Sequence, residues 1–69
     1  MKIENGKEYV FNTTQNTLTK YNGTIVCIMF PLTEIGVDSP MYRARFFNGR
    51  YEDVFANELS EIKWRFWVV

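Results

Sequence analysis

Tyr42-Arg43-Ala44-Arg45-Phe46-Phe47-Asn48-Gly49-Arg50-Tyr51-Glu52-Asp53-Val54-Phe55 reads as a β-hairpin folded about Asn48-Gly49. Both turn residues tolerate φ > 0, which the tightest hairpin turns demand. The flanks alternate polar and apolar, as in strands with one buried face. Alternation sorts the first strand into an inner set, Tyr42, Ala44 and Phe46, and an outer set, Arg43, Arg45 and Phe47. The register stays open: a two-residue turn puts Arg45 opposite Glu52, and a bulged three-residue turn shifts that partner.

Working outward from the hairpin, three more strands are expected. Lys7 to Phe11 is the first, with Tyr9 and Phe11 on one face and Val10 on the other. Asn12 to Lys20 holds Thr, Asn and Gln with a single Leu18 and reads as a long polar loop. Tyr21-Asn22-Gly23 bends into Thr24 to Phe30, an apolar run rich in β-branched residues. Pro31 ends that strand, because proline donates nothing to a ladder, and Pro31 to Pro40 is a loop. Beyond the hairpin, Ala56-Asn57-Glu58-Leu59 suits a single 3₁₀ turn, and Glu61 to Val69 closes the chain. In that last strand Ile62, Trp64, Phe66 and Val68 share one face, and Lys63, Arg65, Trp67 and Val69 the other. Five short strands cannot leave both sheet edges open safely. The expected fold is one all-β domain, a small five-stranded barrel with a short 3₁₀ turn before the last strand.

The 69 residues allow one small domain, which needs a dense core. The supply is there: 46% of the chain is hydrophobic and 17% aromatic, which argues against disorder. Eight basic residues balance eight acidic ones, so a broad electrostatic grip on phosphates is disfavoured. The single cysteine, Cys27, forms no internal disulfide, and a reducing cytoplasm suits it. No apolar run approaches the roughly 18–20 residues of a membrane span, and Met1 to Gly6 lacks a signal peptide's apolar core.

The element order is similar to that of the Src-homology-3-like (SH3-like) small barrel. Gly23-Thr24-Ile25-Val26-Cys27-Ile28 resembles the glycine and alternating strand of the KOW motif. Tyr42 to Phe55 resembles the Tudor and chromo-barrel hairpin. The resemblance implies a binding module for peptides, nucleic acids or partner domains. Proline-rich peptide binding fits poorly, because the first loop is neutral and both tryptophans lie in the last six residues. KOW domains tend to be basic, whereas this chain is neutral.

Four constellations are candidates for function. Catalysis lacks its usual groups: there is no histidine, Glu52 and Asp53 point to opposite faces, and Cys27 reads as a buried structural thiol. Glu34, Asp38 and Asp53 have no metal-ligand spacing, so no cofactor is expected. A basic set, Arg43, Arg45, Arg50, Lys63 and Arg65, interleaves with Phe47 and Tyr51 as nucleic-acid binding requires; cross-strand pairing with acids explains it equally. Tyr21, Tyr42, Phe46, Phe47 and Tyr51 have the makings of an aromatic cage, or of ordinary core with a Tyr rim. Finally, Trp67 and Val69 point outward as a contact surface, or cap the barrel's open end. The leading expectation is a non-catalytic module that binds a protein partner or itself through Phe47, Tyr51, Trp67 and Val69. The alternative is a nucleic-acid-binding domain using the five basic residues. The Asn-, Lys-, Ile- and Tyr-rich composition suggests a small accessory protein of a bacterium, phage or mobile element.

Overall fold

The computed structural model describes residues 2–33 and 38–63. Five antiparallel strands form one sheet: β1 (Glu8–Phe11), β2 (Thr24–Pro31), β3 (Met41–Arg45), β4 (Tyr51–Phe55) and β5 (Leu59–Ser60). Two 3₁₀ turns interrupt them, Thr19–Tyr21 and Ala56–Glu58. The spatial order is β4-β3-β2-β1-β5, so the expected all-β class is found.

The sheet is curled. In a flat five-stranded sheet, β4 and β5 would stand four strand spacings apart, about 19 Å. Yet only the 3₁₀ turn Ala56–Glu58 separates Phe55 from Leu59, and a 3₁₀ segment of that length spans about 8 Å. The sheet must therefore bend until its two edges approach. Its concave face holds the core. Tyr9, Phe11, Val26, Ile28, Ala44, Phe46, Val54 and Leu59 are all buried there, with Tyr42 packed against them. The registers Tyr9↔Val26, Phe11↔Leu59, Ile28↔Ala44 and Tyr42↔Val54 bring these residues side by side.

The hairpin turn takes the bulged, three-residue form. The Phe46 N–H donates to the Arg50 carbonyl at 2.8 Å, and the Gly49 N–H donates to the Phe46 carbonyl at 2.9 Å. Only Gly49 of the two turn residues has positive φ, +86°. Arg45 consequently faces Tyr51, Ala44 faces Glu52 and Arg43 faces Asp53. The alternative two-residue turn would set Ala44 against Asp53 and turn Val54 outward. Burial of Val54 selects the longer turn, since a one-residue slip exchanges the two faces. A side chain at Gly49 meets no atom within 4 Å, so the cost of Gly49→Ala is conformational alone. It is expected at about 1–2 kcal/mol by urea denaturation; no loss would mean that the turn relaxes without that backbone angle.

Two other departures have physical causes. The β2–β3 register shifts between Ile28 and Phe30. Phe30 therefore pairs with Arg43 on the convex face and is exposed, where unbroken alternation would bury it with Ile28. Among the described residues the last strand is Leu59–Ser60, and Glu61 to Lys63 are not strand. The expected strand Glu61–Val69 is thus corrected over its first three residues; Trp64 to Val69 lie outside the described residues.

The β1–β2 connection is more built than a polar loop. It buries Thr13, Leu18 and Tyr21. The Asn22 side chain closes it by accepting from the Thr13 N–H at 2.8 Å and donating to the Thr13 carbonyl at 3.1 Å. A second lock joins the connection to the turn before β5. Glu58, 8% exposed, accepts from the Thr13 hydroxyl, from Gln15 Nε2 at 2.7 Å and from the Phe55 N–H at 2.8 Å. All three donors are neutral. Among the described residues no buried side-chain nitrogen or oxygen is left without a partner.

Candidate protein-interaction surface

The hairpin divides its aromatics between two roles. Phe46 enters the core, packing edge-on against Phe11 at 5.0 Å between ring centroids and against Tyr21 at 4.7 Å. Its neighbour Phe47 occupies the first corner of the turn and points out, 69% exposed. Tyr51, on the convex face of β4, is 52% exposed. The turn itself is anchored, because Asn48 Nδ2 donates to the Tyr21 hydroxyl at 3.1 Å and the Tyr21 ring meets Phe47 edge-on at 6.0 Å. Phe47 is therefore presented from a fixed support, with little conformational entropy to lose on binding.

A groove runs from Phe47 across the convex face. Ile25, Cys27, Arg45, Phe46, Phe47 and Gly49 line it, with Glu8 at its rim. Cross-strand pairing assembles this floor: Tyr51 lies beside Arg45, Arg45 beside Cys27, and Cys27 beside Glu8. Cys27 is thus half-buried on the convex face, and not a core thiol as its apolar strand suggested. Its outward direction follows from alternation with the buried Val26 and Ile28.

Arg43 and Arg50 line one depression with Lys20, Glu52 and Asp53, and Arg45 lines another. Arg43 Nε binds Asp53 Oδ1 at 2.7 Å, and Arg50 pairs with Glu52 at 3.4 Å. Each arginine is neutralised by an acid of β4. Such exposed pairs are each worth about 0–1 kcal/mol, so they count for local charge rather than for stability. Arg45 makes no ion pair among the described residues, and Lys63 follows β5 at the sheet's other edge. Arg65, Trp67 and Val69 lie outside the described residues.

The five aromatics of the imagined cage do not surround one site. Tyr21 and Phe46 are core, Tyr42 packs on the core, and Phe47 and Tyr51 stand outside. Among the described residues no three His, Cys, Asp or Glu side chains converge as metal ligands. No helix among them is long and apolar enough to cross a membrane.

Sequence reasoning overlooked two features. Glu58 joins segments more than 40 residues apart, and no local pattern reports that contact. The exposure of Phe30 follows from the β2 irregularity, for which Pro31 was the only visible hint, and Met29 and Leu32 on either side are exposed as well. Comparison with family models, with curated proteins and with solved structures gives no match.

Proposed function

We propose that this protein is a non-catalytic interaction module that binds a protein chain through the end of its β3–β4 hairpin. One observation carries the reading: two large aromatics, Phe47 and Tyr51, stand more than half exposed on a turn that hydrogen bonds and ring contacts hold in place. Exposed aromatics on a rigid support are the usual anchors of protein interfaces. Arg45 and the groove floor at Ile25 and Cys27 supply the mixed polar and apolar rim around them. The order of elements, with a 3₁₀ turn ahead of the last strand, supports the SH3-like, KOW- or Tudor-type barrel resemblance and with it a binding role.

Nucleic-acid binding is the second reading. Arg45, without an ion pair among the described residues, favours it. Against it stand a net charge of zero and the Arg43–Asp53 and Arg50–Glu52 pairs. A free, half-buried Cys27 suits a reducing, cytoplasmic setting.

The test is capture from a host lysate on the immobilised full chain, with and without nuclease. A protein retained by the wild type in both arms, and lost from Phe47→Ser and Tyr51→Ser, is the expected result. Retention that nuclease abolishes, or that ignores both substitutions, overturns the reading.

A further inference from the structure

Among the described residues β4 is an edge strand, and the phase of its ladder fixes which backbone groups face outward. The Phe46 N–H donates to the Arg50 carbonyl. In an antiparallel pair every second residue from there, Glu52 and then Val54, turns its N–H and C=O toward β3. The Ala56 N–H continues the same phase, donating to the Pro40 carbonyl at 3.0 Å. Tyr51, Asp53 and Phe55 therefore direct theirs away from the sheet. The Phe55 N–H is already taken by Glu58. Among the described residues Tyr51 and Asp53 each keep an outward donor and acceptor, beside a depression whose other wall is the β1–β2 connection at Gln15, Thr17, Leu18 and Lys20. Unsatisfied strand edges are templates for another strand.

We propose that the occupant is β4 of a second copy, paired antiparallel across a two-fold axis at Tyr51. The charges of β4 select both the occupant and the register. With outward groups at alternate residues, the axis must pass through a residue. An axis at Arg50, Glu52 or Asp53 sets like charges against each other, which destabilises cross-strand pairs. An axis at Val54 needs the Phe55 N–H that Glu58 holds. An axis at Tyr51 sets Tyr51 against its copy and Arg50 against Glu52, twice. Arg50 and Glu52 already attract within one chain at 3.4 Å, and the Arg50 side chain is exposed enough to exchange partners. The pairing is isologous, as most homodimers are, and its backbone hydrogen bonds are the two exchanged by Tyr51 and its copy, because Gly49, opposite Asp53, already donates its N–H to Phe46. This inference rests on the protein-binding reading and names the partner as the protein itself.

Light scattering and sedimentation of the full chain, up to millimolar concentration, test it. Wild type is expected to dimerise. Arg50→Glu and Glu52→Arg each set like charges together twice and should weaken the dimer at least about tenfold. The double reversal Arg50→Glu/Glu52→Arg should restore it. Tyr51→Cys in a Cys27→Ser background should form an intermolecular disulfide in a thiol redox buffer, and Asp53→Cys should not. Circular dichroism verifies that each variant folds. A wild type that stays monomeric throughout, or a dimer indifferent to both single reversals, overturns the pairing. A monomer that still captures a different protein through Phe47 overturns this inference and leaves the protein-binding reading standing.

Discussion

Phe46→Ala is expected to abolish cooperative folding at 25 °C, or to leave a midpoint near zero urea. Phe46 is 2% exposed. Its ring sits between Phe11 and Tyr21, so it joins β1, β3 and the β1–β2 connection. Truncating a buried phenylalanine costs about 3–5 kcal/mol, because lost transfer energy adds to the cavity left behind. A chain of this size holds roughly 3–10 kcal/mol in total, and most of that is consumed. Urea unfolding followed by far-UV circular dichroism checks it. Phe46→Leu should keep a transition, since part of the volume remains. A Phe46→Ala loss under about 1 kcal/mol would mean that the three rings are not the centre of the core.

The second large effect is expected at Glu58. Its carboxylate holds Thr13, Gln15 and the Phe55 backbone together, and no other described contact joins the β1–β2 connection to the turn before β5 through side chains. Glu58→Ala leaves three donors short of an acceptor, one of them buried and two part-buried. The expected loss is about 2–4 kcal/mol, since hydrogen bonds to a charged group carry more than neutral ones. Glu58→Gln keeps the shape but turns an NH₂ toward neighbours that are themselves donors. It should recover only part of the loss. Thermal unfolding of both variants measures this. Equal stability of wild type and Glu58→Ala would show that packing and the Asn12 N–H to Glu58 carbonyl hydrogen bond hold the connection without the carboxylate.

The contrast between these residues says what was legible in the sequence. Period-two alternation and an Asn-Gly turn are local signals, and they were enough to place β1, β2 and the hairpin and to give β1 and β3 their correct faces. Phe46 inward and Phe47 outward follow from that alternation. The turn length was harder, because the same four residues serve a two- or three-residue loop. The deciding signal was nonetheless present: only the longer loop lets Val54 rather than Asp53 share a face with Ala44. The exposure of Phe30 was not legible, because a shift inside β2 cancels the alternation that would have buried it. Glu58 was not legible either. It closes the 3₁₀ turn by accepting the N–H of Phe55, a residue with no acceptor of its own, so the reciprocal Ser/Thr capping signal is missing. Its other partners are fixed by the curl of the sheet. The pairing of Leu59 and Ser60 with β1 was not legible, because two residues are too few to show alternation, and the expected strand begins at Glu61 instead; its part from Trp64 to Val69 lies outside the described residues.

The candidate site was half legible. Phe47 and Tyr51 could be named from alternation and the turn. The groove floor of Ile25, Cys27 and Arg45 needed strand order, and the neutralisation of Arg43 by Asp53 needed register. That pairing turns an apparent basic patch into a nearly neutral one, and it moves the weight of the site from charge to aromatics.

The central claim is that Phe47 and Tyr51 serve binding and not the fold, although each lies beside core residues. Urea denaturation of the double variant Phe47→Ser/Tyr51→Ser tests it most directly. A stability within about 1.5 kcal/mol of wild type, the most that the Tyr21–Phe47 ring contact is worth, together with lost protein capture, is the predicted result. A loss of several kcal/mol would contradict it and return both aromatics to the scaffold.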